Sequence, residues 1–290
     1  MLCAVGDLVE DVVVHLDGPP LRGTDTVARI ERRRGGSAAN VAAFAASLGA
    51  AHSGARTAPM VRFIGRIGDD PLGQVLADDL VHSGVDVRVQ RHGRTGAIVV
   101  LVGPGGERDM LTDRAAAFGL SDVDPGWLDG VSWLHVPGYS LIAEPIGASC
   151  RAMVEAVRAL GGRVSVDVSS VASVERFGRR RFCDELAAIA SDVTFATEDE
   201  ARLLDDPPTS LLVVKRGPEP VILRWPDGRG DEVPVDPVEQ VVDTTGAGDA
   251  FAAGFVTATM AGADPLDASR AGSALAARTL GVAGAALAPP

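Results

Sequence analysis

Asp243-Thr244-Thr245-Gly246-Ala247-Gly248-Asp249-Ala250-Phe251 is the stretch on which the reading of this chain turns. Phe251, Phe255 and Ala258 follow at helical spacing, so a run of small residues opens a helix here. Backbone N–H groups at a helix start lack intrahelical partners, and the helix dipole adds positive potential, so such a turn can hold an anion. Asp249 stands at the end of that nest. Phosphoryl transfer asks a protein to stabilise the migrating charge and to take a proton from the nucleophile, and amides beside a carboxylate supply both. Taken alone, the segment reads equally well as a tight turn with an acid at a helix N-terminus. Two other glycine motifs are disfavoured. Gly246-x-Gly248 lacks the third glycine of GxGxxG and comes late in the chain, and no GxxxxGK[ST] occurs.

Upstream, apolar periodicity alternates between strand-like and helix-like, the pattern of successive β and α units. Val41, Phe44, Ala45 and Leu48 share a face and predict a helix over 37–48, ended by Gly49. A strand is expected over 61–65. Pro71 then opens a helix with Leu72, Val75, Leu76 and Leu80 on one side, and Gly84 closes it. Further on, strands are expected over 131–136, 164–168, 192–196 and 211–215, with helices over 146–157, near 176–189 and, briefly, over 198–204. That order implies a mostly parallel sheet, which binds ligands beyond the carboxyl ends of its strands. Asp167, at one such end, is placed at the crevice. Residues 11–34 and 85–111 hold strand-like pieces without helices between them. They read as a small antiparallel sheet projecting as a lid, or as two ordinary hairpin insertions.

The 290 residues suit one large α/β domain, with or without a small appendage, against ~100–200 for a typical domain. With 27 basic and 39 acidic residues the net charge is −12, which argues against a nucleic-acid groove or an anionic membrane surface as partner. The basic residues are all arginine but one, Lys215. Cys3, Cys150 and Cys183 lie too far apart for a zinc ribbon or a disulfide framework, and the five histidines show no metal-ligand spacing. Neither a signal peptide nor a membrane span is visible, so a cytoplasmic protein is expected.

The 243–251 segment, together with Gly35-Gly36-Ser37-Ala38-Ala39-Asn40-Val41-Ala42, resembles the ribokinase-like (PfkB) family of carbohydrate and nucleoside kinases. The likeness extends through 6–11, Arg66-Ile67-Gly68-Asp69-Asp70-Pro71-Leu72-Gly73, Gly106-Glu107-Arg108 and Thr197–Glu200. It implies a three-layer α/β/α, Rossmann-like core with a mostly parallel sheet and a small β-sheet lid. On this chain the core would take residues 1–10, 35–84 and 112–290, and the lid 11–34 and 85–111.

By that resemblance Asp249 matches the catalytic base, and Gly246, Ala247 and Gly248 match the anion hole. Gly35, Gly36 and Asn40 match sugar-hydroxyl contacts, and Asp11 matches an acid holding further hydroxyls from the lid base. Asp11 offers paired acceptors and Asn40 both a donor and an acceptor, the inventory for clamping vicinal hydroxyls. Asp243, with the carbonyl of Thr245, matches part of a monovalent-cation (K⁺) site. Glu200 matches the acid that acts on Mg²⁺ through water, with Thr197 standing where the family usually has asparagine. Lys215 and Gly217 fall in the nucleotide loop, where Lys215 reads either as a contact to an ATP phosphate or as a lysine whose stem packs at a strand end. Ser273 falls near the adenine-side helix, and Arg108 reads as a surface residue, with a reach towards substrate as the alternative. The implied activity is ATP-dependent phosphorylation of a hydroxymethyl group on a small sugar. A nucleoside kinase, or a catalytically silent sugar- or nucleotide-binding regulator, stands as the alternative. Lids of the family often pair across a homodimer, although a charged edge such as 31–34 serves a monomer equally well.

Overall fold

The computed structural model describes residues 1–50, 61–105, 107–204, 209–282 and 284–288. The chain opens with β1 (Leu2–Gly6), β2 (Val9–His15) and β3 (Arg29–Gly35), then enters α1 (Ser37–Ala50). β4 (Val61–Ile67), α2 (Pro71–His82), β5 (Asp86–Arg91), β6 (Ala97–Val102) and β7 (Arg108–Asp113) follow. Strands and helices then alternate through β8 (Trp133–Pro137), α3 (Ile146–Ala159), β9 (Arg163–Asp167), α4 (Val171–Phe177), α5 (Arg179–Ile189), β10 (Val193–Thr197) and α6 (Glu198–Ala201). β11 (Leu212–Arg216), β12 (Glu219–Arg224), β13 (Gly230–Val233), α7 (Ala247–Met260) and α8 (Pro265–Leu280) complete it.

Nine strands form the main sheet in the order β13-β12-β11-β10-β9-β8-β1-β4-β5. Pairing is parallel from β11 to β5 and antiparallel at β11–β12 and β12–β13. Alternation along each strand feeds two cores. In β1, Leu2 and Ala4 pack with α1, α2, α7 and α8, while Cys3 and Val5 pack with α3, α4 and α5 on the opposite face. The result is the expected α/β/α sandwich. One expected helix is two, because Gly178, at φ +102°, breaks the run between α4 and α5.

The second sheet has the order β3-β2-β6-β7. Its outer pairings are antiparallel, but β2 and β6 run parallel, so the sheet is mixed where an antiparallel one was expected. β2 and β6 are not hairpin partners: α1, β4, α2 and β5 intervene, and both strands leave the core in the same direction. The boundary also moves. Residues 86–91, expected in the lid, form β5, which pairs with β4 in the main sheet, and Val87 and Val89 pack on the core. Conversely, Val9–Glu10 begin β2 and Thr112–Asp113 end β7, inside the small sheet. The Gly68–Gly73 motif anchors this junction. Asp70 caps α2 by accepting from Gly73 N (2.8 Å), and it also accepts from Thr95 Oγ1 (2.6 Å) and Thr95 N (2.8 Å) at the entry to β6.

Helices α7 and α8 meet through glycines. A Cβ at Gly254 would lie 2.8 Å from the Ala271 carbonyl oxygen and 2.9 Å from Gly272 Cα. Close contact here holds the N-terminus of α7, and with it Asp249, in place. Replacing Gly254 by valine therefore forces backbone apart and is expected to cost about 1–3 kcal/mol. Urea unfolding checks it, with a lowered midpoint at unchanged slope as the expected result.

Candidate active site

A cavity of about 410 Å³ opens where β9, β10 and β11 end and the small sheet overhangs them, the position expected for a ligand of a parallel sheet. Its floor is the meeting point of two helix starts. Ser37 and Asn40 lie one turn apart on α1, and Asp249 lies in the first turn of α7. Asp249 Oδ1 accepts from Ser37 Oγ at 2.6 Å, and Oδ2 accepts from Asn40 Nδ2 at 2.9 Å. Burial pushes the Asp249 carboxyl up to about 7, and neighbouring Asp167 pushes the same way. The hydrogen bonds from Ser37 and Asn40, and Lys215, pull against that rise.

Two buried acceptors on this cavity have no partner, Asn40 Oδ1 and Asp11 Oδ1. Burial, reinforced by Asp7, pushes the Asp11 carboxyl up to about 7 as well. Orphaned buried acceptors are rare and call for donors. Hydroxyl groups of a ligand would supply them. Gly35 makes room for Asp11: a Cβ there would fall 2.1 Å from Asp11 Oδ1, so its contribution is clearance. Gly36 lines the cavity at φ +100°, and a Cβ would meet the Asp7 carbonyl oxygen at 2.4 Å.

In the glycine turn, Gly246 adopts φ +78° as the cap of α7, and Gly246 and Gly248 line the cavity. Ala247 lies outside the lining, and its amide turns back to the Thr244 carbonyl at 3.3 Å. Lys215 Nζ sits 3.2 Å from where a Gly248 Cβ would be, and donates to Asp167 Oδ2 at 2.5 Å. Burial draws its ammonium down, but Asp167 and Glu200 outweigh this and leave it raised. Thr197 and Glu200 form a capping box at α6: Thr197 N donates to Glu200 Oε2 (2.7 Å), and Glu200 N donates to Thr197 Oγ1 (3.3 Å). Both also line the cavity. Burial and Asp167 raise the Glu200 carboxyl.

The remaining expected residues lie elsewhere. Gly217 turns the β11–β12 hairpin at φ +61° and is not part of the cavity lining. Ser273 borders a separate cavity of about 310 Å³ beside Pro234, Asp236 and Arg270, with its buried Oγ unpartnered. Gly106 lies outside the described residues. Arg108, expected at the surface, instead reaches from β7 to the glycine turn, donating to Thr245 Oγ1 (2.8 Å) and pairing with Asp243 Oδ1 (2.6 Å). Asp243 Oδ1 also accepts from Thr245 N (2.6 Å), and Oδ2 accepts from Gly284 N (2.8 Å). Burial works to raise this carboxyl, but those amides and Arg108 hold it below the usual range. A carboxylate already neutralised by a guanidinium does not fit a monovalent cation. Among the described residues there is no cluster of three or more His, Cys, Asp or Glu that could hold a metal ion.

Ser37, Asp7 and Arg114 received no role from the sequence. Arg114 Nε pairs with Asp7 Oδ2 at 3.0 Å, both buried, and its guanidinium carbon lies 4.0 Å from the centre of the Tyr139 ring on the cavity wall. The i, i+3 spacing of Ser37 and Asn40 was a usable signal. The Asp7–Arg114 pair had none, since its members are distant in the chain.

A pfkB family carbohydrate kinase model matches residues 1–290. The chain belongs to the pfkB family of carbohydrate kinases. Members are phosphotransferases with an alcohol group as acceptor. The fructokinase of Escherichia coli is 31% identical over 276 residues, spanning 87% of this chain and 82% of that protein. An ATP-dependent ribose-1-phosphate kinase of Halopiger xanaduensis is 32% identical over 301 residues, spanning 99% and 94%. Two solved structures share the fold. Adenosine kinase of Sinorhizobium meliloti has a TM-score of 0.85 at 24% identity, and a candidate ribokinase II of E. coli with ATP and Mg²⁺ has 0.83 at 22%. Each alignment covers 98% of this chain and 94% of the other. No helix among the described residues is long and apolar enough to cross a membrane.

The raised carboxyl of Asp249 has a stability signature. Its folded value of about 7 exceeds the ordinary 3.8, so unfolding releases a proton between those values and the protein loses stability as pH rises through the window. Asparagine at 249 does not titrate. The melting temperature of Asp249→Asn minus that of the wild type is therefore expected to rise from about pH 4 to about pH 8. A pH-independent difference is the contrary outcome, read by thermal melts in matched buffers.

Proposed function

We propose that the protein transfers the γ-phosphoryl group of ATP to a hydroxymethyl oxygen of a small sugar. One observation carries this reading: Asp249 is held at the glycine turn by two neutral donors, beside two orphaned acceptors suited to sugar hydroxyls. Asp249 takes the hydroxyl proton as that oxygen bonds to the γ-phosphorus, and the bond to the β–γ bridging oxygen breaks to release ADP. The amides of Gly246 and Gly248, the two turn residues in the cavity lining, form the anion hole, while that of Ala247 donates to the Thr244 carbonyl. Asn40 has a double task, donating to Asp249 while its free Oδ1 accepts from the sugar. Asp11 accepts from further hydroxyls.

Lys215, Thr197 and Glu200 line the cavity together, and Lys215 would contact the phosphates. Glu200 would hold Mg²⁺ through water, and the ion would supply charge neutralisation on the transferring phosphoryl group. Ser273 and the cavity beside it would take the adenine side. The small sheet acts as a lid that excludes water, a competing acceptor. Tyr139 is the one aromatic ring lining the main cavity among the described residues, and Arg114 lies against it, which leaves little surface for stacking a nucleobase. A homodimer would use one of the two lid edges, β3 with exposed Ile30 or β7 with exposed Leu111. Free cysteines and the use of ATP suit a cytoplasmic setting.

The test is ADP release with a panel of ketoses, aldoses, sugar phosphates and nucleosides. A sugar is expected to be turned over, and Asp249→Asn to remain folded with kcat reduced by about 100-fold or more. Turnover retained in that variant, or preference for a nucleoside, would contradict the proposal.

A further inference from the structure

Asp243 is the hub of the glycine turn. Its carboxylate accepts from Thr245 N within the turn and from Gly284 N in the C-terminal segment, where Ala285 packs against Gly246. A buried carboxylate with two amide donors still needs a counter-charge. Arg108 provides it. One guanidinium nitrogen lies 2.6 Å from Asp243 Oδ1, and another donates to Thr245 Oγ1 at 2.8 Å and to Thr244 Oγ1 at 3.3 Å. The Arg108 side chain is 19% exposed and that of Asp243 10%, so the pair is shielded from solvent. The guanidinium thus takes the carboxylate oxygen that a K⁺ ion at Asp243 and Thr245 would need, and it brings a fixed fork that a spherical ion lacks.

We propose that Arg108 is the built-in cation of the anion-hole turn: it replaces a monovalent cation at Asp243 and couples the order of the turn to closure of the small sheet. Arg108 is the first residue of β7, whereas the turn belongs to the core. The charge that steadies the anion hole therefore arrives with the lid. Water entering an open site meets an unsteadied hole, and phosphoryl transfer becomes competent only when β7 is down. Arg108 is a positioning residue, acting through Asp243 and the Thr245 hydroxyl. The inference deepens the kinase reading and rests on it for its kinetic part alone.

Two measurements test it. Crystals of the wild-type protein soaked in Rb⁺, a K⁺ surrogate, are expected to show no anomalous peak on the Asp243 carboxylate. A peak there overturns the proposal whether or not the protein proves to be a kinase. In assays, wild-type kcat is expected to be the same in potassium and in tetramethylammonium salt. Arg108→Ala should lower kcat by roughly tenfold to a hundredfold, with a smaller change in sugar KM, and millimolar guanidinium ion should restore part of it. Activation of the wild type by K⁺, an unchanged kcat in the variant, or failure of guanidinium to rescue would each refute the role of Arg108. Loss of all turnover in the wild type would instead refute the kinase reading, leaving the Rb⁺ result to decide the cation question.

Discussion

The pair of hydrogen bonds that Ser37 and Asn40 give to Asp249 is the constraint on which the site depends. It joins residues more than two hundred positions apart and requires α1 and α7 to start at the same place. The packing that allows this uses small residues: Ala38, Ala39, Ala42 and Ala45 on α1, and Ala250, Ala252 and Ala253 on α7, are buried in one core. Larger side chains would hold the helices apart and carry Asp249 away from its donors. Both helices also direct the positive ends of their dipoles at the carboxylate, which favours a charge there. Burial opposes that charge and pushes the carboxyl up to about 7.

The cavity sorts its acids into two kinds. Asp7 is paired with Arg114, Asp167 with Lys215 and Asp243 with Arg108. Asp11, Asp249 and Glu200 have no such ion pair among the described residues, and all three carboxyls are raised, those of Asp11 and Asp249 to about 7. Environments that separate carboxylates in this way also separate their tasks. The paired acids hold the walls, the lid and the turn in register. Glu200 is engaged in the capping box of α6, while Asp11 and Asp249 line the open cavity, and in the proposed reaction Asp249, beside the glycine turn, would be the one to receive a proton.

Much of this was legible because backbone geometry restricts residue choice. The small residues of 243–251 mark a tight turn ahead of a helix, and it was the pairing of that segment with 35–42, as a family resemblance, that pointed to a site. The β/α alternation declares the core sheet. What failed to show was long-range or lacked a local period. β5 has no helix between it and β6, so the stretch from 85 to 111 looked uniform, and only its packing on the core assigns it to the main sheet. The β12–β13 hairpin passed unread, and α8 was implied only by the resemblance near Ser273, although Asp264 capping ahead of Pro265 is a standard helix start. Arg108 looks like any of the other arginines, and only the fold brings it to Asp243. Glu200 shows a different limit: Thr197-x-x-Glu200 is a capping box as well as a family motif, so one residue pair answers to both local structure and function.

The claim that Asp249 is a base with a raised carboxyl is tested most directly by the pH dependence of kcat/KM for the sugar in the wild-type enzyme. The base works only when deprotonated, so the rate should be level above about pH 8 and fall at least tenfold per unit well below 7. The titration of Asp11 in the same range can only steepen that limb. A profile that stays level down to about pH 5 would show an ordinary carboxylate at 249 and contradict the account.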